Sequence, residues 1–238
     1  MAPKLPLKIT PCPIWEAIVE IRFDSDVEPD AIFGILYQKV KNEYPKVEKL
    51  PILQIPEAVR LQEPGLLQQP YYKLLCDNLS LRIGPKIFSV ICTKEYIGWE
   101  KFSEILEKNF NAIDELKIVK KVKRFGVRYI NFFEKTNIFD NIVVQITKNK
   151  KPLIYDGQHI KVTTNVDGIV NKMQIANNTR LIGRKNTGSV IDIDVSLKEP
   201  QNFFENKTKI IENCHRVEKE SFFELLKKDF LKTLNPEY

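Results

Sequence analysis

Residues 116–133, LKIVKKVKRFGVRYINFF, hold six basic residues and no acidic one, and the run is rich in β-branched and aromatic side chains. That composition favours a strand. Successive residues of a strand face opposite ways, so Phe125, Val127 and Tyr129 share the face expected to meet a core. Arg124, Gly126 and Arg128 share the other face. A second alternating run, residues 14–23 (IWEAIVEIRF), sets Trp15, Ala17, Val19, Ile21 and Phe23 against Glu16, Ile18, Glu20 and Arg22. It reads as another half-buried strand.

Between these two strands the periodicity changes. Pro29 stands where a helix can begin, and Ile32, Ile35, Leu36 and Val40 follow at helical spacing to about Glu43. Residues 45–70, rich in Pro, Gln and Glu, read as an irregular connector over the surface or a sheet edge. Residues 71–76, 79–83 and 87–93 form a meander, with turns at Asp77-Asn78 and Gly84-Pro85-Lys86. A helix follows over 99–115, with Phe102, Ile105, Leu106, Phe110 and Ile113 on one stripe. Beyond the basic strand, residues 141–147, 158–165, 169–177, 179–184 and 189–197 read as strands, with turns at Asp167-Gly168, Asn177-Asn178 and Asn186-Thr187-Gly188. Pro200 opens a helix carrying Phe203, Ile211 and Cys214, and a last helix from Arg216 carries Phe222, Phe223, Leu226 and Phe230. The expected class is α+β: an antiparallel sheet of two meander-plus-helix halves, with helices covering one side. The chain reads as a single integrated domain over 1–238, with candidate halves 1–135 and 136–238.

At 238 residues, with 43% hydrophobic residues and 14 Phe, the chain has enough apolar material to bury a core. The net charge of +6 permits an acidic partner without requiring one. Four cysteines at 12, 76, 92 and 214 include no CxxC pair, so zinc-ribbon spacing is absent. Residues 1–13 are broken by four prolines, and no apolar run is long enough to span a bilayer. Reduced thiols in a cytoplasm, with no membrane partner, are the expectation. Nine glycines, none in a phosphate-loop arrangement, argue against nucleotide chemistry of those types, and no cofactor is expected.

The candidate chemistry is sparse. Asp192 and Asp194 in VIDIDV face one way about 7 Å apart. They either hold a divalent ion, as in a metal-dependent nuclease or hydrolase, or form the polar face of a strand whose Ile191, Ile193, Val195 and Leu197 are core. Arg124 and Arg128 either meet a phosphate or carboxylate, or pair with an acid such as Asp192, Asp194 or Glu20. Lys121 and Lys123 join them as candidate contacts to nucleic acid or a partner protein. His159 and His215 have no nucleophile signature around them and read as structural, and Cys214 beside His215 points about 100° away on a helix.

Three segments together resemble a sporadically distributed prokaryotic family of uncharacterised function and similar length. The first is Pro13, Glu16, Ile21 and Phe23 in the opening strand. The second is Gly126, Arg128, Tyr129 and Asn131, and the third is His215 before Phe223 and Leu226. The resemblance covers almost the whole chain. It implies horizontally moving genes, as in mobile elements or host defence, and brings no active site. The expected function is a non-enzymatic accessory or regulatory binding protein, contacting nucleic acid or a protein partner through the basic strand, with a homodimer admitted.

Overall fold

The computed structural model of the chain describes residues 4–93, 95–153, 157–182 and 185–238. In chain order the elements are β1 (Ile14–Asp24), α1 (Pro29–Val40), β2 (Lys46–Lys49), α2 (Glu57–Gln62), α3 (Pro64–Leu67), β3 (Tyr72–Cys76), β4 (Leu79–Gly84), β5 (Ile87–Thr93) and α4 (Trp99–Glu115). Then come β6 (Lys121–Glu134), β7 (Thr147–Lys148), β8 (Lys151–Pro152), β9 (His159–Val166), β10 (Ile169–Thr179), β11 (Gly188–Lys198), α5 (Phe203–Leu225) and α6 (Lys228–Thr233). Nine strands form one sheet in the order β2-β3-β4-β5-β1-β6-β11-β10-β9, and every neighbouring pair is antiparallel. The class is α+β.

Alternation builds the core. Register aligns Leu74, Leu81, Val90, Val19, Val127 and Val195 in one row across six strands. All six are fully buried. Ile32, Leu36 and Val40 of α1, Phe102, Leu106 and Phe110 of α4, and Phe203, Ile211 and Phe222 of α5 close over that face. The row ends at β10 on a polar residue: Asn171 lies opposite Val195, and its Nδ2 donates to Ser221 Oγ of α5 at 2.7 Å.

Connectivity uses one pattern twice. β1 pairs with β5, the last strand of the β3-β4-β5 meander, and α4 follows. β6 pairs with β11, the last strand of the β9-β10-β11 meander, and α5 follows. The β1–β6 pair joins the two sets of strands.

Local expectations hold where turn chemistry is strong. Asp167 and Gly168 both take positive φ (52° and 80°), as a tight hairpin of right-twisted strands needs. Asn178 also takes positive φ (49°), but it sits in a bulge inside β10 rather than in a turn. Residues 141–147 do not join the sheet as a strand. Ile142 bridges Leu226, and Val143 N–H donates to the Leu225 carbonyl, so the end of α5 takes up this backbone. Of the strand expected over 179–184, only Thr179 is in β10. Residues 180–182 lie outside any strand, and 183–184 fall outside the described residues. Two helices do follow Pro200, but the break expected near Arg216 is absent: α5 runs unbroken for 23 residues to Leu225, and Phe230 falls in the separate α6. No glycine or proline interrupts α5, and the buried stripe Phe203, Ile211, Cys214, Glu218, Phe222 and Leu225 runs through at helical spacing.

Phe110 anchors the aromatic layer, edge-on to Phe88, Phe125 and Phe203. Phe110→Ala is therefore expected to cost about 3–5 kcal/mol. A lower urea midpoint at unchanged m-value would report it.

Candidate functional site

The open face of the sheet carries the basic strand, and each of its six cations faces a carboxylate. Lys117 meets Asp114 at 2.8 Å and Lys120 meets Asp26 at 2.9 Å. Glu199 takes Lys121 at 2.7 Å and Lys123 at 2.5 Å, and the two ammoniums hold its carboxyl down at about 2. Arg128 makes a two-pronged bond to Asp192, from Nε at 2.8 Å and Nη2 at 2.6 Å. Arg124 reaches two partners: Nη1 donates to Glu20 Oε1 at 2.6 Å and Nη2 to Asp194 Oδ1 at 2.6 Å.

Gly126 makes the Arg124 arrangement fit. A Cβ there would lie 2.5 Å from Arg124 Nη1, so the guanidinium lies over the glycine, toward Glu20 on one side and Asp194 on the other. A polar cleft of about 240 Å³ between this network and residues 68–70 is lined by Arg22, Arg82, Arg124 and Arg128. Their partners are Glu20, Glu16, Asp194 and Asp192, so charge is matched across the face. Asp192 and Asp194 are thus spent on arginines. Among the described residues no group of three or more His, Cys, Asp or Glu gathers as metal ligands would.

The helix-covered side holds a larger and chemically different space. A cavity of about 580 Å³ lies between the N-terminal segment 7–14, the first turn of α4, β6 and α5. Leu7, Ile9, Ile97, Trp99, Phe222 and Phe223 make its wall apolar. Backbone bonds strap the N-terminal side in place: Leu7 N–H donates to the Glu237 carbonyl at 2.6 Å, and Thr10 N–H to the Leu234 carbonyl at 2.7 Å.

Five polar side chains converge on this wall. Tyr96 and Tyr129 share one hydrogen bond between hydroxyls 2.9 Å apart, and burial pushes both phenols up. One hydroxyl donates to the other, which leaves the second phenol hydrogen without an acceptor among the described residues. His215 stacks on Trp99 with ring centroids 3.6 Å apart and planes at 12°. Its buried Nδ1 has no hydrogen-bond partner among the described residues, and burial pushes the imidazole down to about 3. Glu218, 4% exposed, makes no hydrogen bond or ion pair among the described residues, and burial pushes its carboxyl up to about 8. Lys219 lines the cavity half-buried with no ion pair among the described residues, and desolvation lowers its ammonium.

At neutral pH the inner wall therefore presents a neutral carboxyl, a neutral imidazole, a phenol pair and the Lys219 ammonium, and Lys8, Glu100, Lys101 and Asn131 complete the polar lining. Such a set binds polar groups of a ligand and can move a proton. His215 is in the site, whereas Cys214 points into the core, where burial pushes its thiol up to about 12. His159 is exposed on the edge strand β9.

Sequence reading missed Glu218, Lys219, Tyr96 and Trp99. The available signal was Glu218 itself, four residues after Cys214 and four before Phe222 on an apolar stripe. All four cysteines are free thiols, and among the described residues no helix is long and apolar enough to cross a membrane. No family model matches the chain, and no curated protein matches it.

Glu218 and His215 give opposite pH dependences of stability. The folded carboxyl holds its proton up to about 8 while the unfolded one releases it near 4.5, so this contribution is lost as pH rises across that window. The folded imidazole stays neutral down to about 3 while the unfolded one protonates near 6.5, so its contribution is lost as pH falls. Glu218→Gln is expected to be near neutral at pH 4.5 and stabilising by about 2–4 kcal/mol at pH 8, read by urea unfolding at both values. On the other face, Arg124→Ala leaves Glu20 and Asp194 without their shared cation. It should cost about 1–3 kcal/mol in low salt, and less in 1 M NaCl because exposed repulsion is screened.

Proposed function

We propose that this chain is a binding protein that takes a small molecule with an apolar body into the cavity between α4, α5 and the N-terminal segment. The observation that carries this reading is the Glu218 carboxyl, 4% exposed, without a hydrogen bond or ion pair among the described residues and lining an apolar space. Leaving a buried polar group unsatisfied costs about 1–3 kcal/mol. A ligand that bonds to Glu218 and to the spare phenol hydrogen relieves that cost. The cavity volume of about 580 Å³ lies in the range that small-molecule sites occupy.

A binding role also suits the accessory or regulatory factor of a prokaryotic cytoplasm, in a mobile-element or defence setting, that the sequence resemblance implies. The four free thiols support a reducing compartment. Contact with nucleic acid through Lys121, Lys123, Arg124 and Arg128 has weaker support. Each of those cations already faces a carboxylate, which a phosphate would have to displace. The twice-used meander and helix supports a chain of two like halves joined before β6.

The test uses N-phenyl-1-naphthylamine, an uncharged probe that brightens in apolar surroundings. Saturable enhancement at one site per chain is expected. Ile97→Trp, which fills the cavity from its wall, should abolish it at an unchanged urea midpoint. Absent enhancement, or enhancement indifferent to Ile97→Trp, overturns the reading.

A further inference from the structure

The cavity's hydrogen-bonding inventory is one-sided. The Lys219 ammonium makes no ion pair among the described residues, and the carboxyl that acts on it, Glu218, is itself held neutral by burial. Gly98 offers α4 no side-chain cap, and the N–H groups of Trp99, Glu100 and Lys101 have no acceptor among the described residues. This first turn lines the cavity and opens a helix of 17 residues, whose dipole puts partial positive charge there. The Tyr96–Tyr129 pair holds one more unaccepted hydrogen. The Trp99 indole N–H is already spent on Glu212 at 3.1 Å. Against these donors stand the Asn131 amide oxygen, one nitrogen of the neutral His215 ring and two carboxyls. Glu218 is 96% removed from solvent by its 4% exposure and faces the same space without a partner. Glu100 is exposed at the rim.

We propose that the ligand is an organic monocarboxylate, an apolar chain or ring whose carboxylate answers the donors of Lys219, the first turn of α4 and the phenol pair. This rests on the cavity being a ligand site. An amine would meet Lys219 with like charge and find the helix N-terminus repulsive. An uncharged ligand would leave the ammonium unpaired in a half-buried place. Glu218 in its neutral form adds a donor to the bound carboxylate; in its ionised form it would set a second negative charge in the same space. The titratable groups that line the cavity with Glu218 are Lys8 and Cys12 from the N-terminal segment, Tyr96 from the loop before α4, Glu100 and Lys101 at the start of α4, Tyr129 from β6, and His215 and Lys219 from α5. Burial places the Glu218 transition near 8, so affinity for the anion falls as pH rises through that value.

Decanoate, 1-decanol and decylamine share one apolar tail and differ in the head group. Each is titrated into the full chain, by calorimetry and by displacement of N-phenyl-1-naphthylamine, at pH 7. Decanoate is expected to bind at least about tenfold more tightly than decanol, with decylamine weakest. Lys219→Met should remove the advantage of decanoate and leave decanol unchanged. Glu218→Gln keeps a donor and should flatten part of the decline in decanoate affinity between pH 7 and pH 9. Equal or tighter binding of decanol or decylamine, with the probe still displaced, overturns the carboxylate and leaves the cavity reading intact. A Lys219→Met protein that keeps the preference for decanoate, or a pH decline unchanged in Glu218→Gln, also overturns it. If neither probe nor any of the three compounds binds, the cavity reading falls with it.

Discussion

The pairing of β1 with β6 is the interaction on which the rest of the molecule depends. Val19 lies opposite Val127 at the middle of the sheet, and both are fully buried. From that point the register runs outward through β5, β4 and β3 on one side and β11 on the other, so one apolar row crosses six strands. A slip of one residue would turn every side chain of β1 to the opposite face and put Glu20 and Arg22 into the core. Burial of one face on two long strands therefore fixes the register without help from a short hairpin.

The same register composes the charged face. Glu20 lies opposite Gly126, and Arg124 leans over that glycine between Glu20 of β1 and Asp194 of β11. The three strands at the centre are thereby tied on the polar side as well as on the apolar one. These groups are partly solvated, so the pairs contribute modestly to stability. Their larger effect is on specificity of register, because each arginine finds its acid only in this alignment.

Strands and helices with clear periodicity were legible in the sequence because their burial is set by nearest neighbours along the chain. The α4 helix over residues 99–115 and the 79–83 and 87–93 strands are examples. The faces of residues 124–129 were legible for the same reason, and so was the choice between phosphate and acid for the arginines, though not its outcome. Which acid sits across a sheet depends on strand order, and strand order is not local. The cavity was illegible on stronger grounds. Its wall comes from four segments brought together only by the fold, and none of them has a motif of its own. Glu218 looked like one more charged residue of a charged helix. Only its place between Cys214 and Phe222 on the buried stripe marks it, and that stripe was obscured by splitting α5 at Arg216.

Strand order also bears on how the chain is made. β1 is synthesised early but is an interior strand, and both of its partners, β5 and β6, come later. More than a hundred residues separate the end of β1 from the end of β6. At ribosomal speeds that interval is roughly 5–20 s. For the first part of it, until β5 is made, the nascent chain carries Ala17, Val19, Ile21 and Phe23 on a strand with no paired neighbour. The alternation that later fixes the register is, on the ribosome, an exposed sticky edge. Glu16, Glu20 and Arg22, interleaved with the apolar side chains, keep that edge charged until its partners emerge.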